Sequence, residues 1–276
     1  MRANSIRTSL NKEDAVSEIR LLLGDLSYRR KVFVVVEGAD DVKIMKKLLN
    51  ENAVILESYS GKRGVHEIVL DYFPDNDRII GVRDKDHEQA TKPKVFFYDY
   101  CCLEMMIIAC EESIYSLFSE YYLPNHEPVE WIKIILSQLY LLSLVRQKNE
   151  IQRWGLVLKS VSIPNIMING QICNEKLVDQ IRLCNIALFN IHKSDIEDMM
   201  AQTSNRLEIN QLFEITNGHD FSSLYAALYN FCANKNVKRE SIEASLRCSY
   251  RRDDFFCTNL YQEFVNYQQG IGLNII

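Results

Sequence analysis

The chain lacks most of the features that assign a protein at a glance. No stretch approaches the ~18 uninterrupted apolar residues of a membrane-spanning helix. The nearest, Ile132 to Val145, is broken by Lys133, Ser137 and Gln138, so no membrane association is expected. The first residues, Met1 to Arg7, contain no apolar segment, and no secretory signal is predicted. Eight cysteines form no C-x-x-C pair and no His/Cys cluster at zinc spacing, which excludes a zinc finger or ribbon. Cys110, Cys184 and Cys232 lie among apolar neighbours, and the pattern reads as reduced core thiols of a cytoplasmic protein. There is no internal repeat, no low-complexity tract and no evident linker. The G-x-x-x-x-G-K-[ST] spacing of a P-loop is also missing. With a formal net charge of −5, the chain is not a bulk electrostatic binder of nucleic acid.

What is present begins at Lys31. Val32 to Val36 are five consecutive apolar residues, the right length for a strand buried on both faces of a parallel or mixed sheet. In such sheets functional groups sit just past the carboxyl ends of the strands, and Glu37 falls there. Gly38 permits a sharp turn, and Asp40 and Asp41 open a helix with Val42, Ile44, Met45, Leu48 and Leu49 on its apolar face. An acid at a helix start is a good cap, so these two aspartates also have an ordinary structural explanation. Before the strand, Val16, Ile19, Leu22, Leu23 and Leu26 give residues 11–30 a helical period.

A second short strand is predicted over Ala53 to Glu57. The turn from Ser60 to Val65 carries Gly61, Lys62, Arg63 and Gly64 ahead of a helix ending at Tyr72. Lys62 and Arg63 are candidate phosphate contacts at that helix start, or simply a basic turn. A third strand, Arg78 to Arg83, ends in Asp84, Lys85 and Asp86, followed by His87 and Glu88. The intervening Lys85 keeps the Asp84 and Asp86 side chains on the same side of an extended segment. With Glu37 from a neighbouring strand end they would form a mutually repelling oxygen cluster. A hard dication such as Mg²⁺ or Mn²⁺ relieves that repulsion.

An apolar strand ending in Glu-Gly-x-x-Asp, Glu37 to Asp41, followed by an apolar strand ending in Asp-x-Asp, resembles a TOPRIM domain. That fold is shared by topoisomerases, bacterial primases and the OLD-family nucleases. The resemblance covers residues 31–110. It assigns Glu37 as the family glutamate, Asp84 and Asp86 as metal-binding aspartates, and Asp41 as the aspartate of the first motif. A fourth strand is expected from Lys94 to Asp99, then a long helix from Cys101 to Phe118. In OLD-like nucleases an acid entering that helix completes the metal site, which points to Glu104, with Asp99 as the second choice. The plain alternative for Glu104 is a first-turn acid favoured by the helix dipole.

The rest reads as helical: 128–158 around Trp131, Ile135, Leu139, Leu142 and Trp154, a loop or short strand at Pro164 to Gly170, then helices at 174–188, 194–204 and 207–213. Gly218 is expected to turn the chain and Asp220 to start the helix Phe221 to Phe231, leaving His219 in a turn off any apolar stripe. The last helices carry Arg247, Tyr250, Arg251 and Arg252, then Phe255 to Tyr267. Residues 1–66 hold twelve Lys/Arg against nine Asp/Glu, and residues 235–253 six against three. Either segment is a focused basic surface or a solvated helix face. The expected organisation is an N-terminal helix at 1–30, a TOPRIM α/β domain at 31–122 with flanking helices, and an all-helical C-terminal domain at 123–276.

With the late Gly-His-Asp-Phe, Gly218 to Phe221, and the terminal Thr258 to Tyr261, the chain is similar to the OLD-like TOPRIM effectors of PARIS anti-phage systems. That resemblance implies a Mg²⁺-dependent endonuclease that cleaves RNA, with transfer RNA as target. It would be held inactive by a partner ABC-type ATPase until triggered, and would act as a homodimer. Glu37, Asp84, Asp86 and Glu104 would bind the metal, with His219 and the Lys62/Arg63 pair at the phosphate. DNA cleavage, or a non-catalytic module binding an ATPase or nucleic acid, are the alternatives. The chain is short for a topoisomerase and has no zinc module of a primase.

Overall fold

In the computed structural model, residues 11–88, 92–201 and 207–276 are described. The basic residues Arg2 and Arg7, and the end of the helix expected over 194–204, lie outside them. Helix α1 (Lys12–Gly24) is capped by Asn11, whose side chain accepts the Asp14 N–H at 2.9 Å. Strand β1 (Val32–Val36) follows, with all five residues buried as the unbroken apolar run requires. Then come α2 (Ala39–Leu48), β2 (Ala53–Glu57) and α3 (Gly61–His66), which continues as a π-helical turn, Glu67–Tyr72. Strands β3 (Ile79–Arg83) and β4 (Val95–Phe97) complete a four-stranded sheet of order β2-β1-β3-β4, every pairing parallel.

The helices that follow are α4 (Leu103–Ile108), α5 (Glu111–Glu120), α6 (Pro128–Gln138), α7 (Tyr140–Ile151) and α8 (Ile163–Ile166). A two-strand hairpin, β5 (Met167–Ile168) and β6 (Gln171–Ile172), separates them from α9 (Asn174–Cys184), α10 (Ile186–Ala201), α11 (Ile209–Phe213), α12 (Gly218–Ala233) and α13 (Arg239–Ser249). The chain ends with α14 (Arg252–Phe255) and α15 (Asn259–Ile271).

Described residues of 11–84, 92–99 and 251–276 form one structural unit, and those of 85–88 and 100–250 a second. The division differs from the one read off the sequence in two ways. The helical unit starts at Tyr100 rather than near residue 123, and the last helices return to the sheet. Each return contact is chemically specific. Phe96 of β4 meets Phe264 and Tyr267 of α15 edge-on, and the Tyr267 hydroxyl donates to the Asp77 carbonyl at 2.8 Å.

In the first unit β1 is a central strand. Phe33 and Val35 face Val16 and Ile19 of α1 and Val65, Ile68 and Val69 of the α3 segment. Each such buried side chain contributes ~1.5–3 kcal/mol. Gly81 of β3 is required by this packing, because a Cβ there would lie 2.6 Å from Val65 Cγ1.

In the second unit α12 packs against α4, α6, α8 and α13, and Phe221, Leu224, Tyr225 and Leu228 are buried there. Several expected helices are interrupted. The 101–118 segment breaks at Ala109 and Cys110, and the 128–158 segment bends by 53° between α6 and α7 and ends at Ile151. The bend lets Leu136, Leu139, Leu141 and Leu142 all reach the interior, which one straight helix face could not do. Among the described residues no single helix is long and apolar enough to cross a membrane. The cysteines are free, but only Cys101 and Cys102 are buried. Cys184 and Cys232 are exposed, so the reading of them as core residues is corrected. They fall on outward faces of α9 and α12, which periodicity near apolar neighbours does not reveal.

Candidate functional site

Parallel pairing of β1 with β3, in the register Val36 to Val82, places the exits of the two strands side by side. Glu37 leaves β1 and Asp84 follows β3, both half-buried. The Asp84 backbone N–H donates to Glu37 Oε1 at 2.9 Å. Asp41, three residues beyond Gly38, reaches back to accept the Gly38 N–H at 3.0 Å and so fixes the turn. Its other oxygen accepts the Tyr98 hydroxyl at 2.7 Å. Asp41 therefore has a positioning role at the start of α2.

Tyr98 is fully buried and reports the local field. Burial pushes its phenol well above the usual range. Asp41 adds to this by charge and by hydrogen bond, and the charges of Asp84 and Glu37 add further. The charges of three carboxylates thus act on one buried phenol. Arg83, 3% exposed, lies 4.8 Å from the Phe97 ring centroid and donates to the Asp84 carbonyl at 3.2 Å. A basic residue ending a buried strand is the sequence signal for it, and Tyr98 carries no such signal.

The extended Asp-x-Asp geometry is not found. Asp86 has a left-handed φ of 49°, and the Glu88 N–H donates to the Lys85 carbonyl at 3.0 Å, so the chain turns there. Asp tolerates this conformation better than most residues. Asp84 belongs to the first unit, while Asp86 and Glu104 belong to the second. Lys85 pairs with Glu214 at 3.0 Å. Asp99 is a cap: its carboxylate accepts the N–H groups of Asn259 and Leu260 at 2.9 and 3.0 Å at the start of α15.

Lys62 and Arg63 are exposed and lie inside α3, which begins at Gly61, rather than in a turn before it. Arg63 Nε pairs with Glu67 at 2.6 Å. Tyr59, Arg63 and Lys12 together hold the Glu67 carboxyl down at about 2.

In the second unit, His219 lies in the first turn of α12, because Asn217, not Asp220, caps that helix by accepting the His219 and Asp220 N–H groups. His219 Nδ1 is 2.7 Å from Glu243 Oε1 on α13. Glu243 is buried and also meets Arg239 Nε at 3.3 Å. The bond to Glu243 raises the His219 pKa against a partial loss of solvation, and the Glu104 charge adds to it, although the His219 side chain is 63% exposed. Burial pushes Glu243 up, but His219, Arg239 and Arg247 outweigh it and the net shift is down. Glu104 lies against the α12 N-terminus, where a Cβ on Gly218 would collide with its carboxylate. Glu104, His219 and Glu243 bring potential ligand atoms within 4.8 Å of one another. Among the described residues the strand-end carboxylates form no such three-ligand set. Glu243 escaped the sequence reading, although an acid on the same helical face as Leu246 was a signal for it.

Comparison with protein-family models and with curated proteins finds no match.

Proposed function

We propose that the chain is a TOPRIM-type, metal-dependent endonuclease whose centre is built on Glu37 and Asp84. The observation that carries the reading is their meeting at adjacent parallel strand exits, joined by the bond from the Asp84 N–H to Glu37 Oε1. Ligand sites of open α/β sheets lie at that edge. The donors fit the ion. Both are carboxylates in a field negative enough to reinforce the neutrality of Tyr98, and Mg²⁺ is commonly held by one or two carboxylates with water and substrate phosphate completing its shell. When bound, such an ion polarises a phosphodiester and lowers the pKa of a water. The chain's own part is positioning. Asp41 fixes the Gly38 turn, and Gly38 in turn sets where Glu37 points. The resemblance assigns Asp86, Glu104 and His219 to the same chemistry, RNA as substrate and an ABC-type ATPase as restraint, and these are part of the proposal.

The test is incubation of the purified protein with transfer RNA and with plasmid DNA, in Mg²⁺ or Mn²⁺ and in EDTA. Cleavage of RNA that EDTA stops and that Glu37→Ala and Asp84→Ala abolish is the expected result. Wild-type rates in both variants, or no cleavage of either nucleic acid, would overturn it. Cleavage of DNA alone would replace the RNA assignment and leave the metal centre standing.

A further inference from the structure

The helical unit holds a cavity of about 220 Å³. That is below the ~300–1,000 Å³ of sites for drug-sized ligands and suits a small group. Leu156 and Leu158 contribute apolar lining. The charged and titratable lining groups are Asp86, His87, Arg146, Glu150 and Lys159, with Asn217 beside them.

Formal charge nearly balances across this lining, but hydrogen-bond capacity does not. Asp86, His87 and Glu150 are each engaged by neighbouring groups. Arg146 uses Nε and Nη2 on the two oxygens of Asp220, at 2.5 and 2.9 Å, and Nη2 also donates to the Leu158 carbonyl at 3.4 Å, which holds the guanidinium plane still. Nη1 is left with no partner among the described residues. Asn217 spends its oxygen capping α12, and its amide nitrogen has no partner among the described residues. Lys159 is exposed, and its ammonium likewise has none. Three donors of different geometry, two of them cationic, therefore line one small cavity with unspent capacity. A guanidinium already fixed by a carboxylate can offer its remaining Nη1 donors to a phosphate oxygen with little loss of side-chain freedom.

We propose that this cavity binds a phosphate group through Arg146, Lys159 and Asn217. None of these three donors belongs to the proposed metal centre, although Asp86, assigned to that centre, lines the same cavity. It is tested by calorimetric titration of the full chain, in EDTA, with inorganic phosphate, adenosine 5′-monophosphate and adenosine. The two phosphate compounds are expected to bind and adenosine is not. Tighter binding of the monophosphate than of phosphate identifies a nucleotide as the source, and equal binding identifies free phosphate. Lys159→Glu, on an exposed side chain, should weaken binding at least tenfold, Lys159→Arg should preserve it, and Glu37→Ala should leave it unchanged. The proposal is overturned if adenosine binds as well as its monophosphate. Wild-type affinity in Lys159→Glu, or no binding of either phosphate compound at millimolar concentration, overturns it equally. Loss of cleavage in Glu37→Ala with phosphate binding intact separates this site from the proposed metal centre.

Discussion

Glu37 accepts the backbone N–H of Asp84 at 2.9 Å, across a separation of 47 residues, and thereby ties the exit of β1 to the exit of β3. One carboxylate oxygen does structural work while the side chain stays half-buried at the sheet edge. The two roles can be separated. Glu37→Gln keeps an acceptor for the Asp84 N–H and removes the charge. Its unfolding free energy should stay within about 1 kcal/mol of wild type, while Mn²⁺ affinity should fall at least tenfold, or about 1.4 kcal/mol. Paired denaturant melts and Mn²⁺ titrations read both, and unchanged affinity would count against the metal centre.

Tyr98→Phe keeps the buried ring and removes the hydroxyl from Asp41. The expected loss is about 1–2 kcal/mol, because a buried hydrogen bond from the hydroxyl to a charged acceptor is removed while the bond from the Gly38 N–H to Asp41 stays. The wild-type phenol is raised above its usual 10. Its contribution to stability is therefore complete below pH 10 and lost as pH rises through the folded value, since the unfolded chain releases its proton first. Urea melts at pH 8 and pH 11 should show a smaller alkaline loss in Tyr98→Phe than in wild type.

His219 is held by Glu243, with Glu104 and Arg239 facing the same group. A histidine raised above 6.5 stabilises fully below that pH, and the contribution is lost as pH rises through the folded value. An acid lowered from 4.5 stabilises above 4.5 and is lost as pH falls through its folded value. The pair is thus most stabilising between about 4.5 and 6.5. An NMR titration should find the His219 midpoint above 6.5 and, in Glu243→Gln, displaced downward. The same midpoint in both proteins would show that Glu243 does not set it.

Gly218→Ala tests the approach of Glu104 to the first turn of α12. The methyl group would occupy the space of the Glu104 carboxylate. The expected cost is about 1–3 kcal/mol, and Glu104→Ala in the same background should recover part of it. Additive losses in the double variant would contradict direct contact.

Asp220→Ala strands Arg146, 22% exposed at its side chain, without its carboxylate. Removal of one partner of a largely buried ion pair costs about 3 kcal/mol. Denaturant unfolding of the variant measures it, and a loss under 1 kcal/mol would mean the pair is effectively solvated.

The parallel sheet was legible because its signals are local. Val32 to Val36 is apolar over a strand's length, and Ala53 to Glu57 and Ile79 to Arg83 repeat the pattern at helix-sized intervals. The exit position of Glu37 and Asp84 follows from strand length alone. Helix breaks at Ala109 and Leu139 were not legible, because continuous apolar sequence permits both a straight and a bent path and packing chooses between them. The turn at Asp86 was missed for a related reason. Alternation in sequence implies an extended backbone only where a neighbouring strand enforces it.

The sequence by itself determined which residue types stand at the strand ends, and hence that oxygen donors collect at one sheet edge. Only the tertiary structure decided what each acid does. It assigned Asp41 to Tyr98 across 57 residues, His219 to Glu243 across 24, and Asp99 to the start of α15 across 160. A carboxylate has the same chemistry as ligand, cap or ion-pair partner. Its role is set by whichever donor the folded chain brings within about 3 Å, and that donor has no required sequence separation.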